Sequence, residues 1–197
     1  MDISYREDRI GIRKFMAVMP GIFDLSGTGE VASFRDLNNL AGVLNLEGNI
    51  QDVSFLNEKN KRFRIPDQMR LSLAARAGAG VLHPRLELCR EAGCVTVDGS
   101  YDVKNEGYDV RLVSDRFDIG RFLPADSLGI LTTDIKLTGH GYRFGKADAR
   151  LTLDLRELVY KGHRYRDILL ATDVQGPRIN GLLKSGDPAL LSEIAFK

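Results

Sequence analysis

Four short segments of the chain share one pattern, in which two apolar residues alternate with two polar residues and a glycine follows. They are residues 23–27 (FDLSG), 44–48 (LNLEG), 95–99 (VTVDG) and 135–139 (IKLTG). Strict alternation places every second side chain on the same face of a β-strand. A glycine after such a segment is typical of a bulge, a bend or a turn. We therefore expect a repeated β-architecture of strands with one apolar face, each closed by a glycine. The unequal intervals between the copies argue against a solenoid of fixed period.

The balanced charge of the chain argues against partners that bind by general electrostatic attraction. The chain has 28 Lys and Arg against 27 Asp and Glu, for a net charge of +1. A balance of this kind gives no general field that would attract nucleic acid or an anionic membrane. Apolar residues make up 43% of the chain, which is enough to cover one face of a sheet but is a modest share for a thick two-sided core.

No targeting segment is evident near the start of the chain. The longest apolar-leaning run, residues 15–23, contains Pro20 and Gly21 and is shorter than the roughly 20 residues that span a bilayer. Charged residues precede it without a clean cleavage site for a signal peptide. If the natural protein is exported, we expect this chain to be an internal fragment of it.

The clearest strand signals flank residues 90–93. A hairpin closed there places Cys89 opposite Cys94 on the polar face. The same register pairs Leu88 with Val95, Leu86 with Val97 and, on the other face, Glu87 with Thr96. One register thus puts all the aliphatic pairs on one side, as a real hairpin requires.

A second hairpin is predicted around residues 104–107. Its register places Val103 opposite Tyr108 and Tyr101 opposite Val110, again on the apolar face.

Elsewhere the pattern is coarser. We expect two strands around Gly11, a turn at residues 26–30, one helical turn or a loop within 36–40, and a strand pair or bulged strand over 44–55. A short helical turn is predicted within 118–129, before Pro124, and strands over 131–139, 147–155, 168–174 and 179–183. No long segment has the 3.6-residue period of a helix. The prediction is an all-β fold, an elongated and curled antiparallel meander with an apolar inner face and few helical turns.

The meander predicts which side chains share a face. The candidate apolar or groove-lining set is Leu86, Leu88, Val95, Val97, Tyr101, Val103, Tyr108, Val110, Ile135, Leu137, Leu151, Leu153 and Leu155. The set expected to face water is Glu87, Thr96, Asp98, Asp109, Arg111, Lys136, Arg150 and Asp154.

Residues 27–32 (GTGEVA) match the glycine-rich pattern that binds dinucleotide phosphates, and Glu47 follows about where a ribose-binding acid would stand. The segment lacks a convincing crossover helix and any further βαβ unit. A glycine turn between strands is therefore the favoured interpretation.

The two cysteines are four residues apart, which is not zinc spacing without a second ligand pair. His83, His140 and His163 are scattered along the chain. No metal site and no cofactor are predicted. In an oxidising compartment Cys89 and Cys94 are expected to be within bridging distance, with Cα atoms about 4.4–6.8 Å apart; otherwise they are two unpaired thiols.

No nucleophile elbow, phosphate-binding lysine loop or zinc-protease motif is present, so we predict that the chain is not an enzyme. The adjacent Asp126 and Ser127 after Pro124 are better explained by a turn or a helix cap than by catalysis.

One long segment resembles a known family. Residues 63–141 contain FRIPDQMRLSLAARAGAG and VTVDGSYDVKNEGYDVRLVSDRFDIGRFLPADSLGILTTDIKLTGHGY, and residues 117–128 (FDIGRFLPADSL) are the most telling part. This order of strands, loop and glycines resembles the repeats of the TamB/AsmA-like proteins, especially the large Bacteroidetes-type homologues of TamB. The resemblance extends from about residue 22 to residue 183. The chain lacks the membrane anchor and the C-terminal domain of that family, which suits a middle piece.

The resemblance implies a periplasmic part of an inner-membrane-anchored protein of a Gram-negative bacterium. It implies β-sheets that curl into a long trough with an apolar inside, and a role in outer-membrane biogenesis. The chain would be a single segment, residues 1–197, with possible sub-repeats at 1–62, 63–128 and 129–197. The implied partners are phospholipid acyl chains and, through other parts of the parent chain, an outer-membrane barrel assembly protein. Nucleic acid is not an expected partner.

Two functional classes remain open at this point. The first is a lipid conduit that moves phospholipid between the inner and outer membranes. The second is a structural or chaperone-like scaffold for barrel proteins or autotransporters, whose edge strands pair with incoming strands. An open apolar channel favours the conduit, and a dry, closed core favours the scaffold.

Overall fold

A computed structural model describes residues 2–52, 66–122, 128–143, 145–188, 190 and 192–196. Within these ranges the protein is all-β, as predicted, and thirteen strands form one antiparallel sheet. The strands are β1 (Asp2–Arg6), β2 (Arg9–Met19), β3 (Phe23–Ala32), β4 (Ala41–Ile50), β5 (Met69–Gly78), β6 (Val81–Arg90), β7 (Gly93–Asp102), β8 (Gly107–Asp118), β9 (Leu128–His140), β10 (Asp148–Tyr160), β11 (His163–Gln175), β12 (Arg178–Ser185) and β13 (Ser192–Phe196).

The strands pair strictly in chain order, from β1 at one edge to β13 at the other. This order is a meander, in which each strand pairs with the next strand along the chain, and it leaves the sheet open at β1 and β13. Two single turns of 3₁₀ helix, Leu37–Asn39 and Ile119–Arg121, lie in the two places where a helical turn was predicted. Within the described ranges, no helix is long and apolar enough to cross a membrane.

Among the residues that the structure describes, no second layer covers the sheet. The accessible surface is 13110 Å², whereas a compact protein of 21.9 kDa would expose roughly 9,300 Å². In the part of the chain that the structure describes, the buried apolar side chains are Met69, Cys89, Phe117 and Leu155. The fold therefore depends on strand pairing and on contacts between neighbours on one face, and not on a core enclosed between layers.

The strand register carries one line of aliphatic side chains across the sheet. Residues directly opposite each other in antiparallel strands share a face. We call the following line, read strand by strand from β2 to β13, the apolar row: Phe15, Gly27, Leu46, Leu73, Leu86, Val97, Leu112, Ile135, Leu153, Leu170, Leu183 and Ile194. With strands about 4.8 Å apart, the apolar row is about 50 Å long.

The glycines of the four repeated segments do not close their strands, which corrects the expectation. Each strand continues past its glycine, and Gly27, Gly48, Gly99 and Gly139 all lie on the same face as the apolar row. Residues 26–30 are likewise inside β3, so they form neither the predicted turn nor a phosphate-binding loop.

Close approach of the neighbouring strand explains why glycine is needed at two of these positions. A Cβ at Gly99 would lie 2.3 Å from the carbonyl oxygen of Asp109, and one at Gly139 would lie 2.3 Å from that of Asp148. The neighbouring backbone therefore leaves no room for a side chain at either glycine.

The first predicted hairpin has the expected register, with Cys89 opposite Cys94. The second is shifted by two residues: Tyr101 lies opposite Tyr108, and Val110 lies opposite Gly99. The Asp102 carboxylate accepts hydrogen bonds from the backbone N–H groups of Lys104 and Asn105, which closes the loop before Val103 can join the strand. A shift of two residues leaves Tyr101, Tyr108 and Val110 on their predicted face, whereas Val103 lies in the turn.

Some other boundaries differ. Gly11 lies within β2, and the turn that separates β1 from β2 is at Glu7 and Asp8. β4 ends at Ile50, and Gln51 and Asp52 belong to no strand, so the strand predicted over 44–55 ends earlier than expected. Residues 53–55 of that prediction, and Asp126 and Ser127, lie outside the described residues. The division into three sub-repeats stays a prediction.

Candidate functional site

The predicted groove-lining residues are brought together on one face, apart from Val103, which lies in the β7–β8 turn. Leu86, Val97, Ile135 and Leu153 belong to the apolar row itself. The remaining members flank that row on the same face: Val110, Leu137 and Leu151 on one side, with Tyr101 and Tyr108 beyond them, and Leu88, Val95 and Leu155 on the other side.

Several members of this face were missed from the sequence. They are Leu44, Leu46, Leu71, Leu73, Leu112, Leu170 and Leu183. The alternation of apolar and polar residues along 69–73 (MRLSL) and 110–112 (VRL) is the signal that could have found those in β5 and β8.

The face is open to solvent. Members of the apolar row from Phe15 to Leu183 are half-buried, and Ile194 at the edge is 50% exposed. Neighbours on the sheet shield the sides of each side chain but leave its tip uncovered. The arrangement is a continuous apolar surface that a ligand with a long apolar chain could cover.

Two hydroxyl side chains, Ser114 and Thr133, lie between Val95 and Leu155 on the apolar face, and both are hydrogen-bonded within the sheet. Ser114 and Thr133 are 1% and 3% exposed. The Ser114 hydroxyl donates to the carbonyl oxygen of Leu131 at 2.8 Å, and the Thr133 hydroxyl donates to that of Asp154 at 2.9 Å. Each hydroxyl thus has its hydrogen bond inside the sheet, and neither presents an unsatisfied donor to a ligand.

β-Bulges end the regular face beside these hydroxyls. The register shifts between Ser114 and Phe117 on β8 and again between Leu155 and Glu157 on β10. Beyond the shift Phe117 lies opposite Leu131, which lies opposite Leu158, so apolar side chains continue on the same side. The bulges preserve the apolar face while bending the strands.

The opposite face carries the predicted polar residues. Glu87 lies opposite Thr96, Asp98 opposite Arg111, Arg111 opposite Lys136, and Asp154 opposite Asp134. Asp109 and Arg150 share this face because both lie opposite Thr138. The sequence did not predict the apolar patch of Leu169, Ala171 and Leu182, which lines a concavity of about 600 Å³ on this face.

Ion pairs between neighbouring strands neutralise the polar face. Arg111 holds Asp134 with two hydrogen bonds, one of them 3.0 Å from Nε to Oδ1. These bonds lower the pKa of the Asp134 carboxyl below its ordinary value and raise that of the Arg111 guanidinium. The apolar row has no charged member, so the two faces differ sharply in the ligands they can accept.

The two cysteines form a cross-strand disulfide, as expected from the hairpin register that places them opposite each other. Cys89 and Cys94 are bonded, with their Cα atoms 4.1 Å apart. That distance is slightly below the expected range because the two residues are directly opposite each other beside a tight turn. Glu87 lies close to both sulfur atoms, but disulfide sulfurs have no thiolate to offer a metal.

Reducing this disulfide is expected to lower the free energy of unfolding by about 2 kcal/mol and to leave the sheet folded, because the closed loop is short. Denaturant unfolding of oxidised protein, reduced protein and the Cys89→Ser/Cys94→Ser variant measures the effect. The reduced protein and the variant should agree. Two free thiols, titrated in unfolded protein that was prepared under oxidising conditions, would show that no stable bridge forms.

The geometry thus presents an open apolar face about 50 Å long, backed by a neutralised polar face. Comparison with family models, with curated proteins and with solved structures found no match to this chain.

Proposed function

We propose that the chain is a segment of an envelope-spanning protein of outer-membrane biogenesis, and that its apolar face forms a groove for phospholipid transfer between the inner and outer membranes. The observation that carries the proposal is the apolar row, which crosses twelve strands without a charged side chain. The occupants are phospholipid acyl chains, and the location is the periplasm.

The energetics suit movement along the row. Each buried methylene contributes about 0.8 kcal/mol, so an acyl chain of ordinary length gains on the order of 10 kcal/mol. Because the strands from β4 to β13 each place one aliphatic side chain in the apolar row, the gain is similar at each step between them. A chain can then advance from strand to strand without a deep energetic trap, while the charged opposite face stays hydrated.

One observation favours the scaffold alternative. The outer edge of β13 is unpaired within the described residues, and its apolar side chains Ile194 and Phe196 are 50% and 38% exposed. Such an edge can accept an additional strand from a partner. The openness of the apolar face across the whole sheet nevertheless supports the conduit more directly.

Purified protein is expected to carry glycerophospholipid, identified by mass spectrometry after organic extraction. Protein stripped of lipid by detergent should take lipid up again from vesicles. The apolar face is the expected binding surface, so lysine substitution in the apolar row should abolish uptake. Protein that carries no lipid after purification and takes none from vesicles would contradict the proposal.

A further inference from the structure

One rim of the sheet carries a cluster of basic residues on three consecutive connections. The connections are β7–β8, β9–β10 and β11–β12. We call the cations in or next to them, Lys104, Arg143, Lys146 and Arg178 (the first residue of β12), the basic rim. Backbone hydrogen bonds join the connections, from Gly141 N–H to the Glu106 carbonyl at 3.0 Å and from Gly176 N–H to the Ala147 carbonyl at 2.9 Å. With a strand spacing of about 4.8 Å, the rim extends over about 24 Å from β7 to β12.

The cations of the basic rim are available to a ligand. None of the four makes an ion pair within the described residues. Two of the neighbouring acids have other partners, although the Asp102 carboxylate also attracts the Lys104 side chain electrostatically. The Asp102 carboxylate accepts hydrogen bonds from its own turn, and the Asp148 carboxylate lies 3.4 Å from Nε2 of His140. Glu106 is the third acid on this rim, so the four cations exceed the carboxylates.

The opposite rim differs. Three arginines near the connections there are paired with acids: Arg90 with Glu91 at 2.6 Å, Arg121 with Asp118 at 3.2 Å, and Arg164 with Glu157 at 3.2 Å. Arg116 near the end of β8, and Lys161, which lies over the ring of Tyr160, make no ion pair within the described residues. The opposite rim therefore has fewer cations without a carboxylate partner than the basic rim.

The apolar face reaches the basic rim directly. Tyr101, Tyr108 and Ala149 lie on the apolar face one residue before the last paired positions of their strands at this rim. Ile135 in the apolar row lies five residues before His140, which is about 17 Å along an extended strand. A ligand with a phosphate on the rim can thus keep an acyl chain on the apolar row.

We propose that the basic rim binds the phosphate of a glycerophospholipid whose acyl chains lie on the apolar face. The inference rests on the proposed function, and it assigns a position to the phospholipid headgroup. Arginine offers paired N–H donors that match phosphate oxygens, and lysine adds a mobile positive charge. The headgroup is held at one rim only, which orients every lipid in the same sense across the strands.

The test compares two variants and three ligands. The rim variant is Lys104→Gln/Arg143→Gln/Lys146→Gln/Arg178→Gln, and the matched control is Arg121→Gln/Lys161→Gln/Arg164→Gln on the opposite rim. The ligands are a short-chain phosphatidylglycerol below its micelle concentration, a diacylglycerol with the same chains, and inorganic phosphate. Dissociation constants are measured by calorimetry, with thermal unfolding as the check on folding.

Wild type and control should bind phosphatidylglycerol at least tenfold more tightly than diacylglycerol, and the rim variant should lose this preference while its diacylglycerol binding is unchanged. Equal binding of the two lipids by wild type, or a preference that survives in the rim variant, would overturn the rim assignment and leave the groove intact. If wild type binds neither lipid, the proposed function itself fails. Inorganic phosphate that competes at the affinity of the lipid would show a phosphate site independent of acyl chains, against the proposal.

Discussion

The Leu73→Lys variant is expected to lose lipid uptake and transfer by at least a hundredfold while its melting temperature changes little. Leu73 is half-buried in the apolar row, between Leu46 and Leu86 on the neighbouring strands. An ammonium group that faces lipid tails without a partner costs several kcal/mol. Without lipid the same group stays hydrated, because the face is open, so the fold loses little more than the contacts of one side chain.

The adjacent residue provides the control. Ser72 lies on the opposite face of β5, between Glu47 and Glu87, and is exposed. Ser72→Lys adds the same charge to the same strand beside two carboxylates, and lipid uptake should be unchanged. Transfer between vesicles and thermal unfolding are measured together for both variants. A Leu73→Lys protein that unfolds would indicate a closed core, and one that folds and transfers lipid normally would exclude the apolar row as the lipid path.

Alanine at Gly99 or Gly139 is expected to lower the free energy of unfolding by about 1–3 kcal/mol, the usual cost of forcing extra atoms into packed structure. The new Cβ at either position would meet a carbonyl oxygen of the next strand at 2.3 Å. The two neighbouring strands must therefore move apart locally to make room for the Cβ. Urea unfolding of each variant gives the loss.

Gly78→Ala serves as the comparison, since a Cβ there meets nothing within 4 Å and its φ is not positive. A glycine that is not needed for space destabilises a strand, so this variant should be as stable as wild type or slightly more so. If Gly99→Ala and Gly139→Ala matched Gly78→Ala in stability, the apolar face would not be compressed at these glycines.

The two-residue period explains how much could be predicted from the sequence. Along β6 and β7, Leu86, Leu88, Val95 and Val97 alternate with polar residues, and the only short turn between them brings all four to one face. The same reasoning predicted the cross-strand position of Cys89 and Cys94. It also predicted the polar face, because alternation assigns every second residue to the other side.

The register of the second hairpin needed more than alternation. Sliding Tyr101 from Val110 to Tyr108 moves the pairing by two residues, and a shift of two is invisible to a pattern of period two. The hydrogen bonds of the Asp102 carboxylate to its own turn selected the observed register. The hydrogen bonds of the turn thus selected the register between β7 and β8, which the hydrophobic pattern alone could not distinguish.

The sequence by itself determined the strands and their two faces, because the alternation of apolar and polar residues is a local property of each strand. Only the tertiary structure decided that twelve strands place their aliphatic residues in one line, because that line depends on eleven separate registers between strands. It also decided the role of the repeated glycines. Gly99 and Gly139 occupy apolar-face positions in mid-strand because the next backbone comes too close for any side chain, a contact between strands that the pattern of one strand cannot contain.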